Sequence, residues 1–383
     1  KNRTEDKTIF KGLTLENNKK LTFKEKISLQ NQDYSTPYWL KNDWSLGMYT
    51  VEDQELIGKP TTPKTTEIDF NFVINYTPIT ITKEIVRKYS ERDKGEIYEP
   101  FEILPKVTAS IPNKVIVFSD TIAKQVTVAV KAGANYINGK VKLNVPENWQ
   151  VSPAETNFGI SFKGDVQNVV FTVTPPKEET EGVIQPEVIV NGKSFTQQLV
   201  EINYSHIPKQ AVLLKSEAKV VRSDIKKVGK TIGYIKGAGD TVAENLQQIG
   251  YEVSYINVDD ITAENLAKYD AIVTGVRAYN VVKALQFKQQ LLLDYVKNGG
   301  NLIVQYNTSR NVKIAPPYPI TLSRDRVTDE NAEVIIIDEN HELLNFPNKI
   351  TNKDFEGWVQ ERGLYFPKIW DENYTALFSM NDK

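Results

Sequence analysis

The chain has 383 residues, 40% of them apolar, with 18 Tyr, 15 Phe and 5 Trp, enough for several cores and, at this length, two or three domains. A formal net charge of -2 argues against a dedicated nucleic-acid binder, whose usual footprint is a strong basic excess. There is no cysteine and there are only two histidines, His206 and His341, which excludes disulfides, thiolate chemistry and a zinc site built from several imidazoles.

No apolar run approaches the roughly 20 residues needed to span a bilayer. The opening KNRTEDKT has neither Met nor a signal-like apolar stretch, which fits a mature product or a fragment of something longer. Residues 7–105 alternate apolar and polar positions between turn residues, as in TIFKGLTL, LTFKEKISL, IDFNFVINY and ITITKEIV. This pattern predicts an antiparallel β-sandwich module over 1–105. Tyr38, Trp39, Trp44 and Tyr49 cluster within it. They are expected in the sandwich core and its rim, with a sugar-stacking platform as the functional alternative.

A second β run, 106–206, repeats strands at roughly ten-residue spacing, as a sandwich does. Residues 207–229 carry six Lys/Arg against two acids and read as a linker or covering strand rather than a binding patch. From Lys230 to 383 short apolar runs alternate with helix-patterned runs: TIGYI, EVSYINV, DAIVTGVRAY and NLIVQYN are strands of a mainly parallel sheet. Thr241 with Glu244 predicts a capping box, Thr262 an N-cap, and Gly299–Gly300 a helix stop. GAGDTV approaches a dinucleotide fingerprint, but Val242 replaces its third glycine and Asp240 sets a carboxylate where a pyrophosphate would bind, so nucleotide binding is rejected.

Sites in such sheets gather at the carboxyl ends of the strands. That rule collects Lys236, Asp240, Arg277, Tyr279, Asn280, Gln305, Tyr306 and Asn307 as a candidate pocket. A second dense group comprises Arg324, Asp325, Arg326, Trp358, Glu361 and Arg362. It reads either as a polar pocket in which an arginine holds a sugar or carboxylate, or as an ion-pair network fixing an irregular segment. Asp325, Asp354 and Glu361 could in principle supply a glycosidase carboxylate pair.

Three resemblances extend this reading. VPENWQVSPAETNFGI, through Val145, Pro146, Trp149, Val151 and Pro153, resembles the NEW3 immunoglobulin-like module found beside bacterial carbohydrate-active domains, with Trp149 as a packing residue. The 230–383 pattern resembles the flavodoxin-like class I glutamine-amidotransferase fold, with Tyr306–Asn307–Thr308 where that family places its nucleophilic cysteine. YWLK, GEIYEPFEILPKV, GVRAYN, GGNLIVQYN, SRDRVT and GWVQERGLYFP together resemble the region downstream of the catalytic domain in PIG-L/LmbE-type deacetylases of Bacteroidetes. Members of that family remove N-acetyl groups from glucosamine-type sugars with zinc held by a His-Pro-Asp-Asp type motif.

That motif does not occur in this sequence. The resemblance therefore implies a non-catalytic accessory region: two immunoglobulin-like β-sandwiches followed by a degenerate flavodoxin-like α/β domain. It implies no cofactor in this chain, with zinc confined to a catalytic domain elsewhere, and an extracytoplasmic (periplasmic or cell-surface) location. A glycan or an envelope protein complex would be the partner. It also implies that SMNDK precedes a further glycine-rich strand and helix.

Overall fold

The computed structural model describes residues 12–24, 26, 33–45, 47–63, 66–207, 209–310, 312, 314, 316–358 and 363–382. The chain divides into two compact units, Lys1–Lys114 with Ala123–Thr174 and Gly182–Lys219, and Val115–Ile122 with Pro175–Glu181 and Val220–Lys383. Most of the ordered structure is β-sheet, predominantly antiparallel, with one four-stranded parallel sheet.

In the first unit, alternation dictates the core. Strand Lys124–Ala132 buries every second residue, Val126, Val128, Val130 and Ala132. It lies between Val107–Ser110 and Val166–Thr174, and the latter pairs with Gln150–Ser152. A second antiparallel sheet runs Thr156–Ile160, Ile137–Asn144, Thr180–Val190, with Lys193–Phe195 folded back on the last. Its inward positions, including Val141, Leu143, Ile184 and Val188, are equally buried. Trp149 packs inside, as its place in the sequence predicts.

Residues 12–105 depart from the expected sandwich. Glu67–Ile74 pairs with Thr77–Glu84, and Val86–Glu91 with Gly95–Pro100, as separate two-stranded sheets. All eight residues of Thr77–Glu84 are exposed. Phe70, Phe72, Ile79 and Ile81 line one face of the first hairpin, while Thr80–Asn71 and Thr82–Asp69 hydrogen bonds line the other. The described residues of the aromatic stretch form no strand: Pro37 opens a 3-10 turn, Tyr38–Leu40, and Ser45 and Met48 then make an isolated bridge. Of LTFKEKISL, Glu25 and residues 27–29 lie outside the described residues, and the rest forms no strand.

The second hairpin is tied to the sandwich by alternating charges. Arg87 meets Glu99 at 3.3 Å, Lys209 meets Glu99 at 3.9 Å and Glu201 at 2.6 Å, and Glu201 also binds Lys131. The hydrogen bonds from Lys131 and Lys209 hold the Glu201 carboxyl down at about 2.

Of the linker and covering-strand readings of 207–229, the strands are what forms. Gln210–Lys215 pairs antiparallel with Gln197–Ile202, and Ala218–Arg222 is also a strand. Ala211, Val212, Leu213 and Val220 are buried between the lysines that dominate the composition.

In the second unit the four expected parallel strands form, in the order Glu252–Tyr255, Thr231–Ile235, Ala271–Thr274, Asn301–Val304. Helices Val242–Gln248 and Gln289–Lys297 belong to the same unit, and Ile235, Ile272, Leu266, Leu285 and Leu292 share one core. Thr262 caps its helix by accepting from Asn265 N at 3.2 Å. Gly299 N and Gly300 N close the longer helix on Val296 O and Tyr295 O. Three short antiparallel pairs follow: Ile320–Leu322 with Pro367–Trp370, Arg326–Val327 with Gly363–Leu364, and Ile335–Ile336 with Phe378–Ser379. No helix among the described residues is long and apolar enough to cross a membrane.

Candidate functional site at the carboxyl edge of the parallel sheet

Strand order reverses between Thr231–Ile235 and Ala271–Thr274, and the crevice expected there is closed by backbone. Gly275 N donates to Ile235 O at 2.8 Å and Ala238 N to Val276 O at 2.8 Å. A Cβ on Gly237 would stand 2.1 Å from Val276 O, so only glycine permits this approach.

Asp240 fills what remains. Its carboxylate accepts from Val242 N at 3.1 Å, from Val276 N at 3.0 Å and from the Tyr234 hydroxyl. Burial opposes its ionisation, but these three donors prevail and keep its pKa below the ordinary range. Tyr234, almost wholly buried, also accepts from Gln305 Nε2 at 2.8 Å. Burial first, then the Asp240 carboxylate, pushes the phenol pKa up, so it remains a neutral donor. Thr241, expected as the helix cap, makes no side-chain cap; Asp240 takes that part.

A second set of polar side chains fastens the neighbouring loops to each other. Asn280 Nδ2 donates to Thr308 O at 3.3 Å and Arg310 O at 2.8 Å, while its Oδ1 accepts from Thr308 N at 2.9 Å. Asn307 accepts from Tyr279 N at 3.2 Å and donates to Gln305 O at 2.8 Å. Arg277 takes a left-handed backbone conformation, φ 58°, with its N–H on Tyr306 O at 2.7 Å. Tyr279 is a correction to the candidate pocket: its side chain belongs to the hydrophobic core. At the position matched to the nucleophile of amidotransferases, the polar groups of Asn307 and Thr308 are spent on backbone.

The outward-facing members are Lys236, Arg277 and Tyr306. Lys236 Nζ lies 4.2 Å from the centre of the Tyr255 ring, a cation–π contact, and the Tyr255 hydroxyl donates to Glu244 Oε1 at 3.0 Å. The Tyr306 and Tyr365 rings are 6.0 Å apart. This contact joins the sheet edge to the second predicted group, because Leu364, next to Tyr365, pairs with Arg326.

Within that second group Arg324, Asp325 and Arg326 are exposed, and no ion pair among the described residues joins them. Asp325 N instead donates to Ser323 Oγ at 3.0 Å. Trp358 is exposed and stacks on Phe355 with ring centres 5.6 Å apart. Glu361 and Arg362 lie outside the described residues. Asp354, considered for a carboxylate pair, accepts from Thr351 N at 2.7 Å as part of a capping box. His341 likewise caps a helix, its Nδ1 accepting from Leu343 N at 3.2 Å.

Sequence reasoning missed Tyr234, Glu244 and Tyr255. The available signal was a lone tyrosine at corresponding places in two neighbouring short strands, TIGYI and EVSY.

No family model matches the chain, and no curated protein matches it. Among solved structures it is similar to WR4, a Caenorhabditis elegans MSP family member, at 9% identity over 31% of this chain and 98% of that one, TM-score 0.19. A family 123 glycoside hydrolase from Clostridium perfringens shares 9% identity over 52% of this chain and 48% of that chain, TM-score 0.19. The chain thus spans about half the length of that hydrolase. An uncharacterised Nocardia farcinica protein with an immunoglobulin-like fold shares 16% identity over 29% of this chain and 98% of that one, TM-score 0.15.

Proposed function

We propose that this chain is a non-catalytic accessory region of a PIG-L-like N-acetylglucosamine-type deacetylase, contributing glycan or partner recognition and positioning outside the cytoplasm. The observation that carries the reading is the filled sheet edge. Asp240, Gln305, Asn307 and Asn280 use their polar atoms on the chain's own backbone and on Tyr234, where an enzyme of flavodoxin-like or glutamine-amidotransferase-like architecture would hold reactive groups free. The all-parallel strand order supports that architectural kinship. The exposed Lys236, Tyr255, Arg277 and Tyr306 suit contact with a polyhydroxylated or protein surface.

The test is acetate release from N-acetylglucosamine oligomers by this chain with added zinc, run beside binding of the same oligomers. Binding without release is expected. Zinc-dependent acetate release above the protein-free control overturns the proposal.

A second reading, a scaffold that docks on a cell-envelope protein complex, is favoured by one specific feature. The hairpin 67–84 presents Phe70, Ile79 and Ile81 to solvent on a single face, an arrangement typical of protein contacts. Capture of a defined protein partner from envelope extracts, lost in Phe70→Ser, with no oligosaccharide binding would favour it over the first.

A further inference from the structure

We infer that the tip of the hairpin formed by Glu67–Ile74 and Thr77–Glu84 docks on a zwitterionic lipid surface, a contact separate from the sheet edge and independent of the accessory-region reading. The hairpin stands alone: among the described residues no third strand joins its sheet, and every residue from Val73 to Glu84 is exposed. Its base is fixed, with Thr66 buried and Ile85 N donating to Thr66 O at 3.2 Å.

Charge divides the hairpin across its length rather than by face. Glu67, Asp69, Lys83 and Glu84 sit at the base, and from Phe70 to Thr82 the sequence carries no charge. Phe70, Phe72, Ile74, Ile79 and Ile81 share one face by alternation, while Val73, 73% exposed, and its partner Pro78 lie on the other. The polar groups between them are matched internally: Thr80 Oγ1 donates to Asn71 Oδ1 at 2.7 Å. At the end, Asn75 and Tyr76 take φ 47° and 65°, the two-residue turn in which glycine is the favoured second residue. Tyrosine holds that place at a backbone cost, and it is 99% exposed.

These features select the occupant. A protein contact on the apolar face would leave Val73, Pro78 and Tyr76 in water. A lipid surface meets both faces and the turn at once, and the tyrosine ring, apolar with a polar hydroxyl, suits the level of the headgroups. Ile74 and Thr77 flank the turn as a hydrogen-bonded pair, so the next pair, Val73 and Pro78, directs its backbone outward. Proline there removes one donor that lipid could not satisfy. The remaining outward amides limit the depth to the headgroup layer, and Phe70 to Ile74 spans about 13 Å, enough to reach it. The base has three carboxylates to one lysine, so an anionic membrane offers no added attraction.

The experiment is co-sedimentation of the full chain with phosphatidylcholine vesicles at low and high salt. Wild type should pellet with the vesicles at both, and no more strongly when phosphatidylglycerol is added. Tyr76→Asp, Ile74→Asp and Val73→Asp should each weaken partitioning about tenfold, although Val73 lies on the opposite face. The chain has no cysteine, so Tyr76→Cys takes a single environment-sensitive dye, whose emission should shift to the blue on vesicles and be quenched by brominated lipid. Circular dichroism melts confirm that each variant is folded. Wild type left in the supernatant, pelleting unchanged by these substitutions, or a dye emission that does not move overturns the proposal. So does capture of a protein that needs Phe70 yet tolerates Val73→Asp, or a lipid-free dimer that the three aspartate substitutions dissolve.

Discussion

The Tyr234 hydroxyl hands its hydrogen to Asp240, a partner six residues along the chain, while accepting from Gln305, the residue just past the outer strand. The phenol thereby ties the loop after the first strand to the far edge of the sheet. The carboxylate does for two backbone amides what a bound anion does elsewhere.

Asp240→Ala should destabilise the second unit by about 2–3 kcal/mol, because the amides of Val242 and Val276 and the phenol lose an ionised acceptor. Tyr234→Phe should cost about 1–2 kcal/mol, and the double variant less than the sum. Urea unfolding of the four proteins, followed through the transition of this unit, checks the coupling.

Gly237→Ala tests the backbone closure directly. The added methyl would meet Val276 O, a backbone atom that cannot rotate away. A loss of about 1–3 kcal/mol is expected, visible as a lower urea midpoint. Unchanged stability would mean that the two loops separate easily.

Glu201 sets a pH dependence. Its folded pKa of about 2 lies below the ordinary value of 4.5, so its contribution is fully present above that ordinary value. It is lost as pH falls from there through about 2. The melting temperature of Glu201→Gln should therefore lie below wild type at neutral pH, and the two curves should converge on acidification. Lys131→Met should narrow the gap, since it removes the first of the two hydrogen bonds responsible.

Phe171→Ala and Phe70→Ala should differ sharply although both remove a strand phenylalanine. Phe171 is fully buried in the first unit, and its loss should cost about 3–5 kcal/mol. Phe70 is 44% exposed, and its loss should change stability little while reducing binding of a hydrophobic dye. Denaturant titration and dye fluorescence on the same samples separate the two outcomes.

These contrasts show what sequence carries and what it withholds. The four parallel strands were legible because each is a short apolar run between turn and helix signals, and Ile232, Ile235, Ile272 and Val273 are indeed buried. The β run of 106–206 was legible through period two, as at Val126, Val128 and Val130. The same alternation misled at 67–84, where Ile79 and Ile81 alternate correctly yet face solvent, since pattern specifies a face and not what covers it. At 210–222 abundant lysines hid Leu213 and Val220.

In the candidate site, the rule about strand ends put Asp240, Asn280, Gln305 and Asn307 at one edge of the sheet. It could not say that they would bond to the backbone and to Tyr234, because those bonds span up to 71 residues. Nor could it distinguish Asp240 from Thr241 as the cap, two neighbours equally fit by residue type.

Among the described residues, strand Asn301–Val304 has a partner on one side only. Gln305 N points inward to Thr274 O, so by alternation the amides and carbonyls of Leu302 and Val304 point outward. Neither lysine nor proline guards this rim, and Ile303 and Val304 are exposed on it. During synthesis the central strand 231–235 emerges first and this one last, so the sheet is assembled from its middle toward its unguarded side. Crowded refolding at high concentration should therefore join copies of this chain along that seam.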